Sequence, residues 1–145
     1  MRPLCCTLAV FSLLAAQAVA GPQNKKDVIK STHTVRGKVV GFEIGDYQHV
    51  MIETSKGEQS YFIGPLGLDY FLAAFAKKAG TFTIQVVDTY IPEAGGRETI
   101  ERVSNAKIGS TSFAPWWKAQ RKRASIEKLD KEFQPKIAKL TRNGG

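Results

Sequence analysis

Between Thr34 and Ile44 apolar and polar positions alternate, with Val35, Gly37 and Val39 facing one way and Thr34, Arg36 and Lys38 the other. A period of two is that of a strand, because successive side chains point to opposite faces. Gly41 interrupts the pattern, and Phe42 and Ile44 then carry the apolar face. A glycine inside a strand predicts a bulge or sharp bend, so this first strand can serve two halves of a closed sheet. Gly45-Asp46 marks a turn. Val50 and Ile52 define a second strand, 49–54, and Tyr61 and Ile63 a third, 58–64. Ser55-Lys56-Gly57 between them reads as a three-residue hairpin loop whose glycine can take positive φ.

The period changes after Pro65. Leu68, Phe71, Leu72 and Phe75 recur at i, i+3, i+4 and i+7, one face of a helix. Lys77 and Lys78 are expected in its last turn, where cations suit the macrodipole, and Gly80 at its end. Phe82, Ile84 and Val86 restore period two in a fourth strand, 81–91; a loop follows at 92–96 and a fifth strand at 97–108. Gly109 to Pro115 reads as a linker. Beyond it Ile126, Leu129, Phe133, Ile137 and Leu140 form the narrow apolar seam of an amphipathic helix, suited either to docking on the barrel or to self-association. Pro135 lies inside that helix, where a proline removes a backbone hydrogen bond and costs ~3 kcal/mol, so a kink or break is expected near residues 131–134.

Five short strands with one helix between the third and fourth resemble the OB-fold, a small Greek-key barrel. The resemblance covers roughly Thr32 to Ile108. It rests on element order, the glycine-kinked first strand and the helix position, without a signature motif. It is narrower still with small exported bacterial OB-fold domains that lack catalytic residues. A five-stranded SH3-like barrel competes, but has no amphipathic helix of this length at this point. The expected class is therefore mainly β: an OB-like five-stranded barrel at 32–109 and a C-terminal amphipathic helix. The resemblance implies binding on the face of strands two and three, between loops 45–48 and 92–96. Fold alone selects no ligand.

The first twenty residues stand outside this pattern. Arg2, the apolar run Leu8–Ala16 broken only by Ser12, and Ala18-Val19-Ala20 have the layout of a secretory signal peptide. The run falls short of the ~20 residues that a membrane span needs. Export to the periplasm or outside the cell is the expected location. Cleavage after Ala20 removes Cys5 and Cys6, the only two cysteines, and with them any disulfide, thiolate nucleophile or Cys-ligated metal. Residues 21–31 are polar, without a clear period, and read as a leader.

Charge is unevenly spread. The chain carries +8 at pH 7, and nine of its 21 Lys and Arg, against three of its 13 Asp and Glu, lie in residues 116–145. A basic tail of this kind either meets an anionic partner or is simply solvated.

Candidate chemistry is sparse. With Val50, Ile52, Tyr61 and Ile63 inward, the expected outward set on strands two and three is His49, Met51, Ser60 and Phe62. There Phe62 is either a stacking platform beside Met51 or packs under a covering element. Tyr47, Tyr90 and Arg97 belong to the rim, suited to stacking and to holding a phosphate or carboxylate, or to ordinary turn chemistry. His33 and His49 are the only histidines and have no ligand spacing, so no metal or cofactor is expected. Asp46, His49 and Ser60 lack a nucleophile motif, and the strand glutamates Glu43, Glu53 and Glu58 read as solvated, so no enzyme is expected. "GPLG" at 64–67 lacks the lysine of a phosphate loop.

In the tail, Trp116 and Trp117 lie ~100° apart on a helix, so one is expected to pack back on the barrel and the other to sit at its edge. Lys118, Arg121, Lys122 and Arg123 ring the emerging helix. Two functions remain open from the sequence. One is a non-enzymatic binding module whose barrel face, loops and basic tail hold an anionic ligand such as a glycan, a lipid headgroup or another polyanion. The other is an interaction protein that self-associates or docks a partner through Ile126, Leu129 and Phe133.

Overall fold

The computed structural model describes residues 25–143. The expected signal peptide and residues 21–24 of the expected leader lie outside the described residues. Within them the chain is mainly β, with five strands closed into a ring and three helices.

The strands are β1 (Val28–Ile44), β2 (Gln48–Thr54), β3 (Gly57–Ile63), β4 (Ala79–Ile91) and β5 (Gly96–Ile108). They pair in the order β1-β2-β3-β5-β4 and return to β1. All contacts are antiparallel except β3 with β5, which meet in parallel at Phe62↔Arg102 and Ile63↔Val103. β1 closes the ring by changing partner: residues 28–38 pair with β4 and 38–44 with β2. The expected irregularity is present as a register shift between Val39 and Gly41. β1 also begins earlier than its periodicity indicates, because Val28 and Ile29 hydrogen-bond along β4 beside Asp88 and Val87 while their own side chains stay exposed.

Alternation places Val39, Phe42, Val50, Ile52, Tyr61, Phe82, Ile84 and Val103 inside the ring. Helix α1 (Leu68–Ala74) lies between β3 and β4 in the chain and adds Leu68, Tyr70, Phe71 and Leu72 to the same core. It stops before Lys77 and Lys78, contrary to expectation. Lys77 takes φ 67° and its N–H donates to Val39 O at 2.8 Å, so the chain leaves the helix early to tie onto β1.

The segment expected as a linker is ordered into the fold. Thr111–Ser112 (β6) pairs with β5, and Phe113, the first residue of α2 (Phe113–Arg123), is buried. Helix α3 (Ile126–Leu140) is capped by Ser125, whose Oγ accepts from Lys128 N. It runs through Pro135 without the expected break. Pro135 and Lys131 are both exposed, so the carbonyl deprived of its donor belongs to the outer side of the helix, where water can satisfy it. Leu129, Phe133 and Ile137 are buried against the chain's own core. The short strand β7 (Thr141–Asn143) then adds in parallel to β1 at Phe42–Ile44.

Candidate functional site

The loop after β1 and the 3₁₀ turn Pro92–Ala94 meet at one rim, where the Tyr47 hydroxyl donates to the Glu93 carboxylate. That bond holds the Glu93 carboxyl below its usual range and, with lesser desolvation, raises the Tyr47 phenol. Nδ1 of His49 lies 3.0 Å from Tyr47 O. The His49 ring meets Phe62 edge-on at 4.2 Å, and Tyr47 lies 5.8 Å from Phe62. Beside them is a cleft of about 250 Å³ reaching Leu66 and Asp69. Burial raises the Asp69 carboxyl. The structure thus brings together Tyr47, His49 and Phe62, but with two carboxylates around them. An anion gains nothing there.

Met51 departs from its expected outward exposure: it is 8% exposed. Cross-strand register puts Gly41, Met51 and Ser60 in one row. Arg142 runs past Gly41 and forms an ion pair with Glu58 on β3, so it crosses β2 on Met51's face. A Cβ on Gly41 would stand 2.8 Å from Leu140 O, which is why the C-terminal segment can lie so close. Tyr90 and Arg97 face each other across β4 and β5. Arg97 is occupied within the chain: Nε donates to Asp88 Oδ1 at 3.1 Å, and Nη2 to the carbonyls of Asp88 and Lys26. Lys25 stands 5.3 Å over the Tyr90 ring.

The tail also differs from its sequence reading. Both tryptophans pack inward, on different neighbours. Trp116 meets Phe71 at 5.3 Å and Phe133 at 5.7 Å, while Trp117 lies against Gly67 and 6.0 Å from Tyr70. Arg123 is engaged by both Glu132 oxygens and by Gln120. Arg121 lies over Trp117. Lys118 and Lys122 remain exposed. Of the two uses expected of the seam, docking within the chain is the one observed: Leu129 is 0% and Phe133 3% exposed, while Ile126, at 39%, faces solvent.

A second concavity, absent from the sequence reading, lies where β1 changes partners. It encloses about 750 Å³ and includes Arg36, Lys38, Glu53, Thr54, Thr81 and Lys107. Arg36 faces Thr81, and Thr81 faces Lys107 on the other side, so β4 holds a threonine between two cations. Two inter-strand spacings set their Cα atoms about 10 Å apart. Arg36 and Lys107 are both exposed, and neither has a carboxylate partner among the described residues. Lys38 does, with Glu53 at 3.3 Å. Gly37 and Gly80 pair at this point. A Cβ on Gly37 would fall 2.2 Å from Glu53 O, and one on Gly80 2.7 Å from the Ile108 side chain, so the closure is tight. No local motif announces this site. Arg36, Thr81 and Lys107 are far apart in sequence, and only the pairing register unites them.

Among the described residues no group of three or more His, Cys, Asp or Glu side chains is arranged to hold a metal ion, and no helix is long and apolar enough to cross a membrane. No protein-family model, curated protein or solved structure matches the chain significantly.

Proposed function

We propose that this chain is an exported, non-enzymatic binding module of the OB type that holds an anionic ligand on the outer face of β1, β4 and β5. The return path β1-β2-β3-β5-β4-β1, with a helix between β3 and β4, supports an OB-type barrel. The observation that carries the ligand class is the pair Arg36 and Lys107, two cations that flank one groove and have no carboxylate partner among the described residues. Arg36 and Lys107 flank Thr81 from the two neighbouring strands, so an anion lying across β4 can meet a cation on either side. The hydroxyl of Thr81 between them offers a neutral donor to the same ligand. Lys118 and Lys122 on α2 supply a second cationic contact. An anionic glycan or lipid headgroup of the cell envelope fits an exported protein of this charge.

The test is retention of the full-length protein on an immobilised polyanion. Arg36→Glu with Lys107→Glu should elute at clearly lower salt than wild type, with an unchanged circular dichroism spectrum. Lys122→Glu alone should shift elution less. Retention unaffected by the double reversal would remove the groove from the reading.

A further inference from the structure

Resting on the anion-binding reading above, we propose that the groove between Arg36 and Lys107 takes an acidic polysaccharide of sparse charge, with a carboxylate or sulfate on about every second sugar. The spacing of the cations carries the argument. Their Cα atoms stand about 10 Å apart across β4, whereas a nucleic-acid strand presents a charge about every 3.4 Å. Lys38 in the same groove is taken up by Glu53, and two cations so far apart, the ones there without a carboxylate partner among the described residues, leave most charges of a dense polyanion unmatched. A chain of alternating neutral and acidic sugars puts a charge at each cation and a hydroxyl-bearing ring between.

The intervening surface suits that ring. Thr81 lies between the cations, and the next outward row along the strands is Thr34, Thr83 and Asn105. Ser55 closes the hairpin side, next to Thr54, whose own hydroxyl is taken up by Gly57 O and Lys56 N. These are short hydroxyl and amide side chains, which donate to and accept from sugar hydroxyls. None of the groove's lining residues is aromatic. Single-stranded nucleic acids are held by aromatic side chains that stack on bases, and this floor offers none.

The full-length protein, labelled with ¹⁵N, is titrated separately with hyaluronan oligosaccharides (a carboxylate on every second sugar), polyphosphate and oligothymidylate. The glycan should shift the amides of Arg36, Thr81 and Lys107 and bind more tightly than the other two. Arg36→Gln with Lys107→Gln should weaken it by about tenfold or more. Thr81→Val should weaken the glycan and leave polyphosphate unchanged. Tighter binding of polyphosphate or oligothymidylate at the same amides would overturn the sparse-charge assignment while leaving the anion site intact. No shift at these amides with any of the three would overturn both.

Discussion

The hydroxyl of Tyr70 on α1 donates to Oδ1 of Asp130 on α3 at 2.7 Å, tying the helix nearest the ring to the last long helix of the chain. The bond lowers the Asp130 carboxyl, with help from Gln134. Burial first, and then Asp130, push the Tyr70 phenol well above its usual range. The two shifts act at opposite ends of the pH scale. A depressed carboxyl contributes stability above its unfolded pKa and loses it as pH falls through the folded value. A raised phenol contributes below its unfolded pKa and loses it as pH rises toward the folded value. Asp69, raised by burial, works the other way at the acid end, favouring the folded state once protonated. Comparing variants cancels it. Tyr70→Phe should lower Tm most between roughly pH 5 and 9, with the difference from wild type shrinking on either side. Thermal unfolding followed across that range checks this, and a pH-independent difference would contradict it.

Gly67 precedes α1 at φ 85°, and a Cβ there would stand 2.5 Å from the Trp117 ring. Gly67→Ala therefore meets two penalties, the left-handed backbone at ~1–2 kcal/mol and a displaced indole. Gly95, at φ 76° with nothing near its Cβ position, meets only the first. Gly67→Ala should destabilise by about 2 kcal/mol or more and Gly95→Ala by roughly 1–2. Only the former should alter tryptophan emission in the folded protein. Urea unfolding read by fluorescence measures both effects.

Where side-chain period reports burial directly, the sequence was legible. Val50, Ile52, Tyr61, Phe82 and Ile84 are buried as their alternation predicts, whereas Ile63 and Val86 from the same sets are only half-buried and Ile44 is exposed. The misreadings come from neighbours distant in sequence. Met51 has the period of an outward residue, yet Arg142 reaches over it from the far end of the chain. Lys77 has a place in the helical pattern, yet a hydrogen bond to Val39 ends the helix early. Trp116 and Trp117 divide between two packing partners that exist only after α1 and α3 have docked. The cation pair is the extreme case. Alternation already turns Arg36 outward, but nothing short of the β1–β4–β5 register sets it across Thr81 from Lys107.

Pro135 interrupts the hydrogen bonding of α3 without ending it. Its missing donor leaves the Lys131 carbonyl to solvent on the exposed side. The energetic cost is still present, because water replaces an intrahelical bond and the ring crowds the preceding turn. Alanine at this position regains the bond but gives the unfolded chain more freedom. The balance favours alanine, so Pro135→Ala should stabilise by about 1–3 kcal/mol in urea unfolding. An unchanged midpoint would mean that the helix geometry has already absorbed the proline.

The C-terminal helices are part of the core, and this decides what truncation does. Phe113, Leu129, Phe133 and Ile137 belong to the same buried cluster as Phe71 and Val39. Phe133 stacks on Tyr70 at 5.3 Å, and Phe113 meets Phe71 edge-on at 5.8 Å. Leu129 is fully buried, so Leu129→Ala should cost about 2–5 kcal/mol, the range for a leucine whose cavity does not fully collapse. Ending the chain at Ser112 removes all four side chains together and strips α1 of its outer cover. Four such truncations at about 2–5 kcal/mol each come to about 8–20 kcal/mol, as large as the 5–15 kcal/mol by which domains of ordinary stability are folded. The fragment should therefore show exposed apolar surface by dye binding and no cooperative thermal transition. A monomeric fragment ending at Ser112 that unfolds cooperatively would show that the five-strand ring stands without its helices.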